Sequence, residues 1–421
     1  MARRYFGTDG VRGVVGESLT PELAERLGRA ATIWSGGGRV LVGRDTRGSG
    51  PELEEALARG IVSTGGTAVL GGVLPTPAVA LYALDLGAVV SASHNPPEYN
   101  GVKLFDGDGA KLSDATEEEI EGLLDEEGGD GGAVERDDGV ADRYLEHVVD
   151  RFGSDLSRLR VAVDCANGAF SAIAPEAFRR LGADVIAVAN HPDGSNINVE
   201  CGATDLALLA RSVREERVPF GIAFDGDGDR MMAVDHAGET VDGDQILAIL
   251  ALHLGVDLVV VTSMTNLGFH ALMAEHGIRV VTTGVGDRYV LEALRRERGK
   301  LGGEQSGHLI WLDGHVTGDG LVSALLLCAA LEGRPLAEAA AAMQRFPQVK
   351  ENVPVSTREL PRRLSHEVAR IDNELGRQGR VLVRPSGTEP VVRVLAEAES
   401  EEEARRLCGR ISALVRRELG S

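Results

Sequence analysis

Three aspartates at alternate positions could hold a metal ion. Asp225, Asp227 and Asp229 are separated by glycines, and they follow an apolar run over residues 220–224 that predicts a buried strand. Carboxylates this close repel one another unless a cation lies between them, and hard oxygen ligands of this kind suit Mg²⁺. An EF-hand does not fit, because its glycine position holds Arg230. The pattern favours a magnesium site over an acidic exposed turn.

A second loop at the end of a strand offers a nucleophile. The apolar residues 89–90 lead into Ser-Ala-Ser-His-Asn-Pro-Pro at residues 91–97, so a buried strand delivers Ser93 to its end. Near a divalent cation, the hydroxyl of Ser93 could carry a phosphoryl group as a covalent intermediate. A turn serine that only satisfies backbone groups is the plainer alternative, and for a lone serine it is far commoner.

A third cluster has the donors that bind phosphate. Residues 384–389 read Arg-Pro-Ser-Gly-Thr-Glu, and another arginine follows at position 393. Guanidinium groups, two hydroxyls and a glycine with accessible backbone N–H groups can together bind a phosphate. A turn between two strands is the plainer alternative. The candidate phosphate ligands are Arg384, Ser386, Gly387, Thr388 and Arg393.

A fourth polar loop, Gly-Glu-Gln-Ser-Gly-His at residues 303–308, could contact a sugar. Glu304 and Ser306 could hydrogen-bond to neighbouring sugar hydroxyls, and His308 could move a proton. Taken alone the signal is weak, because Glu304 could instead cap the next element. The loop indicates a sugar site only when it is considered together with the other three loops.

The charge balance restricts the partners. The 421 residues include 65 Asp plus Glu against 44 Lys plus Arg, a net charge of −21 with histidine neutral. Such a field repels nucleic acid and anionic membrane surfaces, so neither is an expected partner. It would also repel a phosphorylated substrate unless the site is locally basic. Cations do recur beside the four loops, although most arginines and lysines are solvated surface groups. They are Arg12, Arg44, Arg47, Lys103, Arg230, Arg288 and Arg384.

Composition indicates a soluble globular protein of the cytoplasm. Apolar residues make up 43% and charged residues 26%, as in ordinary globular chains. The four cysteines form no Cys-x-x-Cys pair, so buried free thiols in a reducing compartment are expected rather than disulfides or zinc. The N-terminus lacks an apolar targeting segment, and the longest apolar run, residues 321–331, is too short to span a bilayer.

The elements that position these loops follow a repeated pattern. Short β-branched runs each pass through a polar loop into a helical pattern, and their starts lie roughly 100–120 residues apart. Runs of this kind suit strands buried on both faces, so one α/β unit is used three times. The strand and helix ranges are 39–42 with 51–62, 160–163 with 172–181, and 258–261 with 269–275.

Four domains are expected, three similar mixed-sheet α/β domains and a small C-terminal α+β domain. The boundaries are placed at 1–141, 142–234, 235–346 and 347–421. The stretch 117–142 is acidic and glycine-rich, which predicts a solvated loop or linker. The last domain ends in an amphipathic helix that Ser400 and Glu403 could cap, with one apolar face. That face comprises Ala404, Leu407, Ile411 and Leu414.

Taken together, these loops resemble the α-D-phosphohexomutase superfamily. The match runs in order over essentially the whole chain and includes two further motifs, residues 6–13 (Phe-Gly-Thr-Asp-Gly-Val-Arg-Gly) and 284–288 (Gly-Val-Gly-Asp-Arg). Gln305 and the segments 196–198 and 264–268 are similar to the branch that acts on glucosamine phosphates. The resemblance implies four domains around one cleft, each lending a loop. A homodimer is one option for the assembly.

The resemblance also implies a mechanism. Ser93 is phosphorylated, and one Mg²⁺ is bound by that phosphate and by Asp225, Asp227 and Asp229. Phosphoserine donates to glucosamine 6-phosphate, and the resulting 1,6-bisphosphate reorients and returns its other phosphoryl group, which leaves glucosamine 1-phosphate. This product feeds synthesis of UDP-N-acetylglucosamine and cell-wall precursors. Glucosamine or glucose 1,6-bisphosphate would act as activator.

Further residues receive roles from the same resemblance. Arg12 and Arg230 supply positive charge near Ser93, and Lys103 and His308, in that order, are the candidates for proton transfer. The remaining substrate-binding candidates are Arg288, Glu304, Ser306, Arg384, Ser386, Gly387, Thr388 and Arg393.

Three alternatives stay open. The nearest is the same chemistry on another sugar, that is, a phosphomannomutase or phosphoglucomutase. A metal-dependent phosphatase with Asp225 as nucleophile would form a base-labile acyl phosphate instead of an acid-stable phosphoserine. A phosphosugar sensor would bind ligand without turnover.

Overall fold

The computed structural model describes residues 4–7, 9–129, 131–357, 359–376, 378–386 and 390–420. Within these ranges the strands form four separate sheets of six, five, four and three strands. The three larger sheets combine parallel and antiparallel pairs, whereas the smallest is antiparallel throughout. The predicted class, mixed-sheet α/β followed by a smaller α+β part, is confirmed.

The first sheet is six-stranded. Its elements and the neighbouring helices are β1 (Val11–Val14), α1 (Pro21–Trp34), β2 (Arg39–Arg44), α2 (Gly50–Val62), β3 (Thr67–Val73), α3 (Thr76–Leu81), β4 (Leu86–Val90), β5 (Tyr99–Asp106), α4 (Asp114–Gly122) and β6 (Ala133–Arg136). The strand order is β1-β5-β4-β2-β3-β6. Leu27 of α1 and Leu57 of α2 pack with Val40 and Val42 of β2 in one buried apolar cluster.

Parallel pairing of β2 with β4 brings two loops to one edge of this sheet. Arg44 lies opposite Val90 at the ends of the two strands, and the Asp45 N–H donates to the Val90 carbonyl at 3.1 Å. Because parallel strands end at the same edge, the loop that follows β2 and the loop that contains Ser93 begin side by side. The sequence of β4 is apolar and fully buried, as predicted.

The acidic stretch predicted to be a linker contains regular structure. Helix α4 occupies its beginning, and β6 pairs in parallel with β3 as an edge strand. The prediction of an irregular segment was therefore wrong for these residues. All four residues of β6 are exposed, so backbone hydrogen bonds to β3 stabilise the strand. Because neither face of the strand is buried, its sequence does not alternate between apolar and polar residues.

The second sheet has the order β11-β10-β9-β7-β8 and carries the aspartate loop on a hairpin. Its elements are α5 (Val140–Phe152), β7 (Arg160–Asp164), α6 (Ile173–Arg180), β8 (Asp184–Val188), α7 (Ala207–Glu216), β9 (Phe220–Phe224), β10 (Met231–Asp235) and β11 (Thr240–Val241). Phe224 pairs with Met231, so residues 225–230 form the connection between β9 and β10. Gly228 adopts φ +78°, and a Cβ there would lie 2.5 Å from the ring of Phe170.

The third sheet has the order β13-β12-β14-β15. The elements in this part of the chain are α8 (Gly243–Leu254), β12 (Leu258–Thr262), α9 (Leu267–Glu275), β13 (Arg279–Thr283), α10 (Asp287–Glu297), β14 (Leu301–Gly303), β15 (Leu309–Trp311), α11 (Gly320–Leu331) and α12 (Leu336–Ala340). Of these, α9 belongs to a different compact unit. Gly303 pairs with Leu309, so the polar loop 304–308 is the tip of a hairpin.

Contacts between residues divide the chain into two compact units. One comprises residues 1–263 and 279–340, and the other comprises 264–278 and 341–421. Helix α9 belongs to the second unit, where the Leu267 N–H donates to Glu397 at 3.1 Å.

The second unit contains the three-stranded sheet, of order β16-β18-β17. Its further elements are β16 (Gln348–Pro354), α13 (Arg362–Leu375), β17 (Gly379–Pro385), β18 (Val391–Ala398) and α14 (Glu401–Leu419). The Ser400 side chain accepts the Glu403 N–H at 3.3 Å. Ala404, Leu407 and Ile411 are buried, so the predicted amphipathic helix is confirmed.

Two predictions about the environment of the chain can be compared with these elements. Among the described residues, no helix is long and apolar enough to cross a membrane. Cys165, Cys201, Cys328 and Cys408 are all buried free thiols, as expected from their spacing.

Candidate active site

Ser93 lies in the loop after β4 and meets the aspartate loop of the second sheet. Its side chain is fully buried, and Oγ donates to Asp225 Oδ2 at 2.6 Å. The Nδ1 atom of His94 lies 3.2 Å from the same Oγ. Two loops that are 132 positions apart in the chain are therefore brought into direct contact, as the metal and nucleophile predictions require.

The three aspartates form a compact, buried carboxylate cluster. One oxygen from each of Asp225, Asp227 and Asp229 lies within 4.8 Å of the others, and all three residues are at most 3% exposed. Burial, together with the neighbouring charges of Asp229 and Asp227, holds the pKa of Asp225 well above its usual value. The cluster therefore lacks sufficient compensating positive charge around Asp225.

The donor set fits a hard divalent cation. Within the part of the chain that the structure describes, Oδ1 of Asp227 and Oδ1 of Asp229 are buried without a hydrogen-bond partner, although buried carboxylate oxygens are normally paired. A cation that accepts oxygen ligands would satisfy both atoms and relieve the repulsion around Asp225. The other oxygen of Asp227 is used differently, because it accepts from the Thr76 hydroxyl at 2.6 Å.

Lys103 partly neutralises this cluster. Its Nζ donates to Asp227 Oδ2 at 2.6 Å and to Asp229 Oδ2 at 3.2 Å, and it lies 3.1 Å from Asp9 Oδ2. Burial alone would lower the pKa of Lys103, but the carboxylates of Asp227, Asp229 and Asp9 outweigh it and raise the pKa well above the usual value. Lys103 is therefore an ammonium group in this arrangement, with a proton to donate.

His308 lies between two carboxylates. Nδ1 is 3.7 Å from Asp229 Oδ1, and Nε2 is 3.6 Å from Asp287 Oδ2. Burial would lower the pKa of His308, but the neighbouring carboxylates of Asp229 and Asp287 raise it. The sequence placed His308 at the end of the sugar loop, and the structure puts its ring beside a predicted metal ligand.

The two arginines expected near Ser93 are both in its surroundings. The backbone N–H of Arg230 donates to Asp225 Oδ1 at 3.1 Å. The guanidinium of Arg12 donates to Asn95 Oδ1 at 3.4 Å and forms an ion pair with Asp9. Burial and the guanidinium groups of Arg230 and Arg12 lower the pKa of His94 to about 4. Positive charge thus surrounds the side chain next to Ser93.

The sequence patterns did not single out three charged residues of the site, which are Asp9, Lys111 and Asp287. Lys111 forms ion pairs with both Asp9 and Asp287, so it links the first loop of the chain to the start of α10. Asp9 and Asp287 do lie in quoted motifs, where an arginine follows within three residues. Lys111 lies in no motif, and nothing in the sequence singles it out.

Glu304 and Ser306 occupy the hairpin tip in different environments. Glu304 is buried, and its Oε1 accepts the Gly286 N–H at 3.1 Å, which ties the sugar loop to the loop before α10. Ser306 is exposed. Contact of either side chain with a sugar stays a prediction.

Arg288, predicted from the sequence to bind substrate, lies at the start of α10, and its side chain contacts helix α4. Its guanidinium pairs with Asp114 and donates to Glu117 Oε1 at 2.6 Å, and the side chain is 7% exposed. The carboxylates of Asp114 and Glu117 therefore neutralise the positive charge of Arg288. The structure therefore favours a structural role, because a guanidinium already paired and buried offers little to a phosphate.

Replacing Arg288 with alanine is expected to lower thermal stability while leaving substrate affinity nearly unchanged. The variant leaves the buried Glu117 carboxylate without its cation, which costs about 3–5 kcal/mol for a buried pair. KM should change by less than about threefold. Thermal melts and steady-state kinetics on Arg288→Ala, with the exposed Arg296→Ala as control, check both. A large rise in KM at unchanged stability would restore the substrate role.

The predicted phosphate cluster is described in part. Arg384 and Arg393 lie directly opposite each other on β17 and β18, and like charges at such positions are unfavourable unless an anion or carboxylate compensates them. The Ser386 N–H donates to the Val391 carbonyl at 2.9 Å, and Ser386 is buried. Gly387 and Thr388 lie outside the described residues.

Four domain models of one family match the chain in order. They are described as phosphoglucomutase/phosphomannomutase, and they comprise alpha/beta/alpha domain I at residues 3–129, domain II at 142–238, domain III at 242–346 and the C-terminal domain at 333–414. The Ser93 loop lies in the first match, the aspartates in the second, and the sugar loop in the third.

Two solved structures are similar over nearly the full length. A phosphoglucomutase/phosphomannomutase family protein from Burkholderia thailandensis is 26% identical with a TM-score of 0.84, and the match covers 97% of this chain and 96% of that one. An Aspergillus fumigatus N-acetylphosphoglucosamine mutase, solved with GlcNAc-6P and magnesium, is 20% identical with a TM-score of 0.65 and coverage of 98% and 95%. At that identity the second likeness shows the fold alone.

A sequence relative is closer than these structures. The phosphoglucosamine mutase of Saccharopolyspora erythraea is 49% identical over 438 residues, which covers 98% of this chain and 99% of the relative. Identity at this level over nearly the entire length of both chains goes beyond a shared fold. The chain belongs to the phosphoglucosamine mutase family, a family of phosphohexomutases and hence of isomerases.

Proposed function

We propose that the chain interconverts glucosamine 6-phosphate and glucosamine 1-phosphate through phosphoserine at Ser93 and a glucosamine 1,6-bisphosphate intermediate. One observation carries the proposal: the buried Ser93 hydroxyl donates to Asp225 within a cluster of three carboxylates. Phosphoryl transfer depends mainly on positioning and charge neutralisation, which a buried hydroxyl beside a cation site provides. A trace of glucosamine or glucose 1,6-bisphosphate would activate the enzyme by phosphorylating Ser93.

One Mg²⁺ is proposed for the carboxylate cluster. Its ligands would be Asp225, Asp227, Asp229 and the phosphate on Ser93, and when bound it would supply positive charge to the transferring phosphoryl group. The buried oxygens of Asp227 and Asp229 without a partner support this assignment. Magnesium in the A. fumigatus relative is further support.

The first half-reaction exchanges one P–O bond for another. The bond between phosphorus and Ser93 Oγ breaks, and a bond forms to the C1 hydroxyl of glucosamine 6-phosphate. That hydroxyl loses a proton while Ser93 Oγ gains one. Lys103, an ammonium group inside the cluster, is the first candidate for proton transfer, and His308 is the second. Arg12 and Arg230 add positive charge around the transferring group.

The second half-reaction uses the same groups on the other end of the sugar. The bisphosphate must turn so that its 6-phosphoryl group returns to Ser93, which releases glucosamine 1-phosphate. The sugar contacts of Glu304 and Ser306 and the phosphate contacts must therefore serve both orientations. The proposed phosphate ligands are Arg384, Ser386, Gly387, Thr388 and Arg393.

Replacing Lys103 with methionine is expected to lower kcat by about 10²-fold, because a group that moves a proton in the transition state contributes at least that much. The side chain keeps its length but loses the ammonium group shared by Asp9, Asp227 and Asp229. Steady-state kinetics over a range of pH would measure the loss.

Lys103→Arg is the matched control for charge. It retains a cation for the carboxylates but has a pKa too high to exchange protons readily, so its thermal stability should exceed that of Lys103→Met while its kcat stays low. Wild-type turnover in Lys103→Arg would show that Lys103 supplies charge and moves no proton.

Phosphorus NMR tests the proposed reaction directly. The purified protein is incubated with Mg²⁺, a trace of sugar bisphosphate and glucosamine 6-phosphate, with glucose and mannose 6-phosphates in parallel. We expect a growing 1-phosphate signal that is fastest for glucosamine. Faster turnover of glucose or mannose would keep the mechanism and change the substrate. Inorganic phosphate as the sole product would indicate the phosphatase and remove the role given to Ser93.

The reaction is proposed to take place in the cytoplasm and to feed synthesis of UDP-N-acetylglucosamine and cell-wall precursors. Four buried free thiols suit a reducing compartment. A phosphorylated sugar is also a typical intracellular metabolite. Fractionation of cells that express the tagged chain would check its location.

A further inference from the structure

Arg47 is fully buried and has no part in the mechanism described so far. Its side chain is 0% exposed, in the loop that follows β2. Nε donates to Asp45 Oδ2 at 2.9 Å, and the backbone N–H of Arg47 donates to Asp45 Oδ1 at 3.0 Å. The charge of Arg47 is thus neutralised within its own loop, and a substrate phosphate cannot reach it.

The terminal nitrogens of Arg47 all point at the main chain of the Ser93 loop. Nη2 donates to the carbonyls of Ser93 at 2.9 Å and Asn95 at 2.8 Å. Nη1 donates to the carbonyl of Tyr99 at 2.9 Å and also to that of Pro96. A guanidinium has five N–H groups in a rigid plane, and here each has an acceptor. Four of them bind the main chain between Ser93 and Tyr99, the first residue of β5.

The Ser93 carbonyl has a second hydrogen-bond donor, from the connection between β8 and α7. Asn198 Nδ2 donates to it at 2.8 Å and to the Asn95 carbonyl at 3.1 Å. The aspartate loop packs against the same carbonyl, because a Cβ at Gly226 would lie 2.7 Å from the Ser93 oxygen. This carbonyl therefore fixes the distance between the serine loop and the carboxylate cluster.

The N–H of Ser93 is held as well. It donates to Ser91 Oγ at 2.9 Å, and that hydroxyl donates to Asp45 Oδ2 at 2.6 Å. Ser93 itself adopts φ +53°, a left-handed conformation that serine rarely takes without support. Both hydrogen-bonding groups of the Ser93 backbone thus lead back to the Asp45–Arg47 pair.

We propose that Arg47 is a positioning residue for phosphoryl transfer, which with Asn198 holds the Ser93 backbone in its left-handed conformation so that Oγ faces the carboxylate cluster. The inference rests on the proposed function only in taking Ser93 as the phosphoryl carrier. Arg47 contacts neither Ser93 Oγ nor, being buried, a substrate. It acts through four carbonyl groups.

Arg47→Lys tests the inference kinetically. Lysine keeps the charge beside Asp45, but its three tetrahedral N–H groups cannot bind Asp45 and four carbonyls together. We expect kcat for the sugar phosphate to fall by about 10²-fold, the scale of a misplacement near 1 Å, while KM changes less than about threefold. Asn198→Ala should lose about tenfold in kcat and supplies the test if Arg47→Lys fails to fold.

Hydrogen exchange of the backbone amides gives a readout that does not depend on turnover. Peptides covering residues 91–100 should exchange faster in both variants, while peptides from α1 and α7 keep their wild-type rates. Arg29→Lys is the control, because Arg29 is a partly buried arginine that contacts Glu25, Ser63 and Glu126 and lies outside the loop. It should retain both kcat and the exchange rates of the loop.

Three results would overturn the inference. They are a kcat of Arg47→Lys within about twofold of wild type, a lower kcat with unchanged exchange of the 91–100 peptides, and faster exchange spread evenly over the whole chain. Failure of the proposed function has a different signature, since Ser93→Ala would then retain turnover whatever the exchange data show for the loop.

Discussion

Replacing Ser93 with alanine is expected to lower mutase turnover by about 10⁴-fold or more, because the variant has no hydroxyl to carry the phosphoryl group. The fold should survive. The substitution removes one hydroxyl and its hydrogen bond to Asp225, and the left-handed backbone disfavours alanine about as much as the serine it replaces, because both carry a Cβ. The loss should therefore appear in kcat and leave the far-ultraviolet dichroism unchanged.

The protein-bound phosphate gives a second readout of the same variant. Phosphorus NMR of the wild-type protein, after incubation with sugar bisphosphate, should show an acid-stable phosphoserine signal that is missing from Ser93→Ala. Ser212→Ala is a matched control, since the Ser212 hydroxyl donates to the Leu208 carbonyl within α7, away from the site. Near-normal turnover by Ser93→Ala would remove Ser93 as the phosphoryl carrier.

Replacing Asp225 with asparagine is expected to lower kcat by about 10³-fold and, without metal, to raise thermal stability. Asp225 is buried beside Asp227 and Asp229, and the pKa of its carboxyl is held well above the usual value by burial and those neighbours. An amide of the same shape removes the repulsion and can still bond to Ser93 and to the Arg230 N–H. The loss of a metal ligand and of charge stabilisation lowers the rate.

Magnesium separates the two effects. Mg²⁺ should raise the melting temperature of wild-type protein, because it binds the folded state alone, and should change that of Asp225→Asn much less. Asp205→Asn carries the same charge change at the start of α7, where Asp205 accepts the Ala207 N–H, and should behave as wild type. A melting temperature for metal-free Asp225→Asn below that of wild type would contradict the proposed repulsion.

Local patterns in the sequence sufficed to place the reacting groups on their elements. The apolar runs before Ser93 and before Asp225 each form a buried strand, so each polar loop could be assigned to a strand end. Alternating glycines and aspartates at 225–229 identified the carboxylate cluster, because carboxylates so close in sequence must also be close in space. Such inferences need only neighbours along the chain.

The patterns failed where stability comes from the backbone or from a distant partner. Strand β6 has four exposed side chains, so hydrogen bonds to β3 create it and no apolar periodicity marks it. Arg288 lies beside a glycine-rich motif, as a phosphate ligand would. No local pattern indicates that its guanidinium donates to Glu117, 171 positions away.

The sequence by itself determined the fold class, the family resemblance and the clustering of the three carboxylates, and it predicted Ser93 as the nucleophile. Only the tertiary structure decided which charged side chains contact these groups. Lys103 lies 124 positions from Asp227, His308 lies between Asp229 and Asp287, and Arg47 binds the Ser93 loop from 46 positions away. Contacts of this kind depend on how separate sheets and loops pack, and no local pattern of residues records that packing.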